Sequence, residues 1–308
     1  MSLTFLRRKS LGAGSVKGMV GHLLDIPPEE VSALSFIGNP NVIRNDKLQT
    51  VNGGIIKDNT SWLVRWGCTT EFGFPNDKTI NISKAIKCVA DKRGFRKKIA
   101  EVDESISPHT IFSLDDRHNI KYPVVLRSAK HSQGKNLWLV ESAHDLVYKV
   151  NHTPALQNGW YASEYINKVS EHRIYIVSGR VVTIANKTPD NPNNVAWNVA
   201  QGGSFSVVKW GDWDIEAMKV ALDAFKLSGL DFGGVDIMTD AMGRSYVIEI
   251  NSAPSLPIMV EGKSSYRQVC MAKAFKYIEE NGKESIPIKV GGSWKNYIHP
   301  AISDQSIV

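Results

Sequence analysis

Three oxygen-bearing side chains, Asp236, Glu249 and Asn251, sit on two short apolar runs late in the sequence. The first run is Asp236-Ile237-Met238-Thr239, a turn passes through Asp240 to Gly243, and the second run is Ser245 to Asn251, followed by Ser252-Ala253-Pro254-Ser255. The pattern reads as a β-hairpin. Side chains alternate faces along a strand. Val235 and Ile237 therefore share one face of the first arm, and Ile248 and Ile250 share one face of the second. Asp236, Glu249 and Asn251 are left for the opposite faces, and a loop with an even number of residues brings all three to one side. Two carboxylates and an amide carbonyl on rigid strands suit a hard divalent cation that keeps some waters and bridges phosphates. An ordinary half-exposed hairpin is the alternative.

Other residues bear on the same chemistry. Ser128 to Lys135 joins two strands with small, polar and basic residues around Gly134, among them Ser132 and Lys135. Such a loop closes over phosphates with backbone N–H groups and cations, although a plain surface hairpin has the same look. Arg127 ends a strand of buried type, where a cation needs a partner. Lys92 lies at a helix, in Ala90-Asp91-Lys92-Arg93. Either cation neutralises a phosphate or is a plain surface charge. Glu164-Tyr165-Ile166 and Glu171-His172-Arg173 flank the start of a hairpin; a carboxylate there accepts hydrogen bonds from ribose hydroxyls, and the adjacent backbone reads an adenine edge. Lys187 ends the next strand, and the turn at Ser178-Gly179 decides whether it faces with Glu171 and Arg173. Asn198 and Gly202-Gly203 close the long loop that follows.

The elements that position these residues alternate. Ser61 to Trp66, Tyr122 to Arg127, Asn136 to Val140, Trp160 to Ile166, His172 to Val177 and Val181 to Asn186 read as strands. Ser83 to Arg93 reads as a helix whose pattern Ile99 continues, and His144 to Val150 has helical spacing. Asp214 to Ser228 is an amphipathic helix with Ile215, Met218, Leu222 and Phe225 on its apolar side, and Ser264 to Asn281 reads as a helix, with Gly282 past its end. Residues 188–203 are rich in Pro, Asn and Gly and form a long loop, of the kind that tends to be functional or mobile. Strands interleaved with helices and hairpins argue an α/β or α+β enzyme-like fold.

Composition sets the outer bounds. The 308 residues are 42% hydrophobic and 22% charged, ordinary for a soluble globular chain of about two domains. No apolar run approaches bilayer length, and the basic Met1 to Arg8 has no apolar stretch behind it, so it does not read as a secretory signal. Cys68, Cys88 and Cys270 are odd in number and in no metal spacing, as expected for reduced thiols in the cytoplasm. A net charge of +6 and a pI near 9.0 admit a nucleotide or nucleic-acid partner. Arg96-Lys97-Lys98 reads as a solvated helix face, and no nucleic-acid-binding motif is present.

The order of these motifs resembles the ATP-grasp superfamily. The matching elements are Asp91-Lys92, Pro123-Val124-Val125-Leu126-Arg127, Ser132-Gln133-Gly134-Lys135, Glu164, Glu171, and Asp236 with Glu249-Ile250-Asn251-Ser252-Ala253-Pro254. The last is the most specific and the glycine loop the least. The resemblance covers about residues 60–290, and similar chains include D-alanine–D-alanine ligases, ribosomal-protein glutamate ligases and ATP-grasp proteins of phage genomes, whose type Arg65-Trp66-Gly67 also resembles. It implies an ATP-grasp fold that holds the nucleotide between two α+β subdomains. An N-terminal α/β domain over 1–90 would precede an ATP-grasp domain over 91–290 with its lid about 108–166, and a tail would occupy 291–308. It further implies that Lys92, Arg127, Ser132, Gly134, Lys135, Glu164, Ile166 and Glu171 bind ATP, with Glu164 at the adenine and Glu171 at the ribose. Asp236, Glu249 and Asn251 would hold Mg2+ or Mn2+, and Arg173, Lys187 and Asn198 would face the transferred phosphate and the acyl substrate. Arg127 departs from the usual Lys, and the broader guanidinium changes the geometry on the adenine side.

The implied activity is ATP-dependent joining of a carboxylate to an amine (or thiol) through an acyl phosphate, in the cytoplasm or in a host's cytoplasm for a phage protein. The carboxylate would belong to a small molecule or peptide. A phosphotransferase using the same nucleotide site and a non-catalytic nucleotide- or nucleic-acid-binding protein are the alternatives. Phosphate release that requires an amine acceptor separates the first from the ligase.

Overall fold

The computed structural model of the chain describes residues 3–7, 15, 16, 19, 43, 44, 47, 48, 62–69, 74–129, 136–191, 194–197, 202–209, 211–256, 265–288 and 293–302. In chain order the strands are β1 (Leu3–Arg7), β2 (Ile43–Arg44), β3 (Lys47–Leu48), β4 (Trp62–Trp66), β5 (Thr79–Ile80), β6 (Thr110–Ile111), β7 (Val124–Ser128), β8 (Leu137–Val140), β9 (Trp160–Glu164), β10 (Lys168–Val177), β11 (Arg180–Thr188), β12 (Ser204–Val207), β13 (Phe232–Asp240) and β14 (Ser245–Asn251). The helices are α1 (Ser83–Ala90), α2 (Lys92–Val102), α3 (Ala143–His152), α4 (Ile215–Ser228) and α5 (Tyr266–Asn281).

Two sheets carry the cleft described below. One has the order β12-β11-β10-β13-β14, with every neighbouring pair antiparallel. The other has the order β6-β9-β7-β8, also antiparallel. A parallel three-stranded sheet, β1-β4-β5, adds its inner side chains Phe5, Trp62, Val64, Trp66 and Ile80 to the core of the five-stranded sheet. Trp66 stacks on Phe232 of β13 with ring centres 5.0 Å apart. The β6-β9-β7-β8 sheet has a separate core, in which Val124, Leu126, Val140 and Ala162 meet Leu146 and Val150 of α3. Two cores on two sheets give a mixed α/β architecture with a cleft between subdomains.

Local chemistry explains where elements begin and end. The expected helix from Ser83 to Arg93 is two helices, broken at Asp91, which leaves helical geometry and accepts a hydrogen bond from the Gly94 N–H at 3.0 Å. An Asp at a helix start satisfies a donor the helix itself leaves unpaired. Asp214 caps α4 in the same way, accepting from the Glu216 and Ala217 N–H groups. Met218, Leu222 and Phe225 of α4 are buried as expected, but Ile215 is exposed.

Both site-bearing hairpins contain a bulge, and the period-2 reading did not contain either one. In β10–β11 the turn is Ser178-Gly179, both at positive φ, the two-residue form that matches strand twist. The register shifts between Tyr175 and Ile176, so that Ile176 pairs with Val181 but Tyr175 with Thr183. In β13–β14 the turn between Thr239 and Ser245 has an odd number of residues, not an even one, and Asp240 organises it by accepting from the Met242 and Arg244 N–H groups. A second shift lies between Asp236 and Ile237: Ile237 pairs with Val247 and Asp236 with Glu249. Val247 and Ile250 are therefore the core residues of β14, and Ile248 leaves the core face expected for it.

Candidate functional site

The two bulges decide which side chains meet. Continuing the register of Ile237 with Val247 would oppose Asp236 to Ile248; the extra residue at 248 opposes it to Glu249 instead. Continuing the register of Ile176 with Val181 would oppose Glu171 to Asn186. After the shift, His172 pairs with Asn186, which brings Glu171 to Lys187, and Lys187 Nζ lies 2.6 Å from Glu171 Oε1. Odd shifts in both hairpins put the polar members of β10, β11, β13 and β14 on one face.

That face forms one wall of a cleft of about 890 Å³. Lys92, Arg127, Glu164, Ile166, Glu171, Arg173, Lys187, Asp236, Glu249 and Asn251, all singled out from the sequence, line it together. Val125, Arg127, Leu137, Ser163 and Glu164 come from the opposing four-stranded sheet, with Tyr165 and Ile166 just beyond it, and Met238 and Ile248 are apolar neighbours on the hairpin. Ser132, Gly134, Lys135 and Asn198 lie outside the described residues.

Charge is concentrated here. Seven cationic side chains (Lys92, Arg96, Arg127, Lys168, Arg173, Lys187 and Arg267) face four carboxylates (Glu164, Glu171, Asp236 and Glu249). The excess of cations favours an anionic occupant. Arg173 grips Asp236 with two parallel contacts, Nε to Oδ1 at 2.6 Å and Nη2 to Oδ2 at 2.8 Å, the strong fork geometry of guanidinium and carboxylate. Lys187 bridges Glu171 and Asp236, 2.7 Å from Asp236 Oδ2. Lys92 pairs with Glu249, and Lys168 with Glu171. Asn251 donates to Glu249 Oε1 at 3.2 Å.

These pairs set protonation. Burial alone would raise the Asp236 carboxyl, but Arg173 and Lys187 outweigh it and hold the group below its ordinary range. Burial also works against an ionised Glu249; the Lys92 ammonium prevails, with Arg173 and Lys187 adding to it, and the carboxyl is held well down. Lys187 is raised, because Asp236 and Glu171 more than offset its desolvation. Lys168 is lowered by burial despite Glu171.

Asp236, Glu249 and the Asn251 carbonyl make an all-oxygen donor set for a hard cation. No three carboxylate, His or Cys side chains cluster for a metal among the described residues. A cation held here would need further oxygens from outside the protein, which suits Mg2+ better than a metal in a closed protein cage. The residues fit that ion.

Helix α2 fastens the two walls. Lys92 reaches Glu249 of β14. Arg93 donates to the Trp160 and Phe112 carbonyls on the side of the four-stranded sheet, at 2.9 and 3.1 Å. Arg96 is buried, not solvated: its two terminal nitrogens donate to the Val247 and Ile248 carbonyls at 2.8 and 2.6 Å, on the bulge itself. Burial draws its pKa down to about 10, which leaves it charged at neutral pH. Lys97 does face solvent, and Lys98 donates to the Leu227 carbonyl at 2.7 Å.

Residues 92–271 match the RimK-like ATP-grasp domain. The chain belongs to that family. A probable alpha-L-glutamate ligase of Shewanella halifaxensis (strain HAW-EB4) is 28% identical over 205 residues, 63% of this chain and 43% of the relative. One from Maridesulfovibrio salexigens is 26% identical over 262 residues, 80% of this chain and 82% of the relative. The chain thus spans less than half the length of the Shewanella relative. Among solved structures, D-alanine–D-alanine ligase from Bacillus anthracis superposes with a TM-score of 0.58 at 16% identity, covering 92% of this chain and 97% of that one. The ATP-grasp ligase PsnB, complexed with its minimal precursor, gives 0.59 at 12% identity, covering 91% and 100%. These likenesses show the ATP-grasp fold.

Sequence reasoning missed four cleft residues within this RimK-like domain. Lys168 precedes Glu171 by three positions and reaches it because the strand begins irregularly, between Lys168 and Ser170. Trp197 lies in the long loop, under Lys168 at 4.7 Å. Phe205 belongs to β12, an edge strand of only four residues, Ser204-Phe205-Ser206-Val207, whose alternation is too short to stand out beside the long loop. Arg267 sits in the first turn of α5, a segment the sequence marked only as a helix with Gly282 past its end.

Proposed function

We propose that the chain is an ATP-dependent ligase that joins a carboxylate to an amine, activating the carboxylate as an acyl phosphate and releasing ADP and phosphate. The observation that carries this reading is the convergence of Asp236, Glu249 and Asn251 with Lys92, Arg173 and Lys187 in one cation-rich cleft of a RimK-like domain. A carboxylate is a poor acyl donor because oxide is its leaving group. Phosphorylation replaces oxide by phosphate, which an amine then displaces.

In this reading each residue has a task. The strand end at Glu164, with the Tyr165 and Ile166 backbone, takes the adenine, and Met238 and Ile248 pack on the base. Glu171 accepts from the ribose. Lys92 and Arg127 bind phosphate oxygens. Arg173 and Lys187 hold positive charge where the phosphoryl group passes to the carboxylate, where fixed charge in a water-poor site contributes most. Asp236, Glu249 and Asn251 would hold Mg2+ (or Mn2+), which when bound neutralises phosphate charge. The pairs of Lys92 with Glu249 and of Lys187 with Glu171 exchange partners when nucleotide enters. Glutamate is the first substrate to test, from what the relatives are called.

The test is isotopic. Phosphate release from ATP is screened against amino acids and amines, and the active carboxylate is then labelled with oxygen-18. The reading requires label in the released phosphate. Label found only in the product or in AMP excludes an acyl phosphate.

A further inference from the structure

Three cations surround the ring of Phe205. Arg173 lies 5.2 Å from its centre, Arg267 5.5 Å and Lys187 5.9 Å. Two of the three are neutralised: Arg173 by Asp236, and Lys187 by Asp236 and Glu171. Arg267 is as deeply placed, at 4% exposure, yet its Nε has no hydrogen-bond partner among the described residues and it forms no ion pair with one. It lines the cleft. Burying an unpaired guanidinium is costly, and the fold places it in the first turn of α5, where the helix field is already positive. A position that unfavourable for a lone cation is complete only when an anion enters.

We propose that Arg267 binds a carboxylate of the substrate, with Phe205 as the platform that holds its guanidinium plane. This assignment rests on the ligase reading. Two anions must meet at the end of the cleft marked by Arg173 and Lys187: the γ-phosphate, which those two cations serve, and a carboxylate. Among the described residues, Arg267 is the cation at that end with no acid of its own. Its fork matches a carboxylate in two parallel hydrogen bonds. Ser255 and Leu256 line the same cleft, and Tyr175, two residues beyond Arg173 on β10, fixes Ser255 by donating to its carbonyl at 2.7 Å. Arg267 thereby selects acidic substrates over their amides.

The experiment is calorimetry on the full chain saturated with ADP and Mg2+, titrated with glutarate, succinate, L-glutamate and the uncharged glutaramide. At least one carboxylate should bind the wild type, and glutaramide should not. Arg267→Gln should weaken that carboxylate about tenfold or more, the scale of a hydrogen bond to a charged group, with ADP affinity unchanged. Arg267→Lys should recover part of the loss. ADP binding by each variant shows that its cleft is folded. Equal carboxylate affinity in wild type and Arg267→Gln overturns the assignment, as does a wild type that binds none of the three acids. Weaker binding of a non-hydrolysable ATP analogue by Arg267→Gln, with carboxylate binding intact, makes Arg267 a γ-phosphate ligand and also overturns it. A wild type that does not bind ADP sinks the ligase reading itself, which separates the two failures.

Discussion

Asp236 stands opposite Glu249 across the β13–β14 ladder because Ile248 is bulged out of the register that Ile237 and Val247 set. The two carboxylates are not equivalent to the fold. Asp236 is 2% exposed and holds two cations, the buried Lys187 and the half-buried Arg173, whereas Glu249 is half-buried and pairs with one.

Asp236→Asn should therefore destabilise as well as inactivate. It leaves Arg173 and Lys187 without their shared acid, and breaking a buried pair from one side costs about 3–5 kcal/mol. Glu249→Gln should lower phosphate release by about 10²-fold or more at a smaller cost in stability. Urea melts of the two variants beside turnover measurements check this. Equal stability losses would contradict the difference in burial.

Lys187→Met should lower turnover by about 10²–10³-fold, by analogy with the loss of one fixed donor to developing charge, with little change in ADP affinity. Glu171 keeps Lys168 and Asp236 keeps Arg173, so the cleft stays folded. Single-turnover kinetics with calorimetry separate the two quantities. Turnover within a few-fold of wild type would remove Lys187 from the reacting end.

Strands β4, β7 to β11, β13 and β14, helices α3 to α5 and the ten converging cleft residues were legible because each rests on a local signal: alternation around Asp236, apolar spacing along α4, a β-branched run before Arg127. The face on which Glu171 and Lys187 meet was not, since it depends on where a bulge absorbs one residue, and neither Val182 nor Ile248 looks different from its neighbours. Arg96 resembled a surface charge because its partners are backbone carbonyls, which carry no residue type. Phe205 and Arg267 were invisible for a related reason. They meet only through tertiary packing between an edge strand and a helix start some sixty residues apart.

The pH dependence of stability should reveal a buried neutral histidine. His299 is fully buried, accepts at Nδ1 from the Ala301 N–H at 3.2 Å, and burial with Arg180 nearby draws its pKa down to about 4. Unfolded, it titrates near 6.5. Between these values the unfolded chain binds the extra proton, so stability rises with pH across that window and is lost as pH falls from about 6.5 to 4, at no more than about 1.4 kcal/mol per unit. The ionised Asp236 and Glu249, held low, contribute in full above about pH 4 and lose their contribution only below it. His299→Phe should reduce the wild-type slope between pH 6.5 and 4, leaving the share of His172, which burial also lowers. An unchanged slope in urea melts would assign the effect elsewhere.

The N-terminal sheet makes a close contact with the segment that follows the site hairpin. Gly67 follows β4 at φ +66°, and a Cβ placed on it would lie 2.7 Å from the Cβ of Ala253. Ala253 belongs to Asn251-Ser252-Ala253-Pro254, directly after the hairpin arm that carries Glu249. Gly67→Ala meets two obstacles. The left-handed backbone costs about 1–2 kcal/mol for a residue with a Cβ, and the methyl–methyl overlap pushes the segment beside Asn251. The first is intrinsic to residue 67, but the second disappears when Ala253 is also replaced. Gly67→Ala should therefore lower both the melting temperature and turnover. Adding Ala253→Gly should restore turnover substantially while leaving the backbone strain, with a coupling of about 0.5–3 kcal/mol between the two sites. A double variant no more active than Gly67→Ala alone would mean that the N-terminal sheet does not position the Asn251 end of the hairpin through this contact.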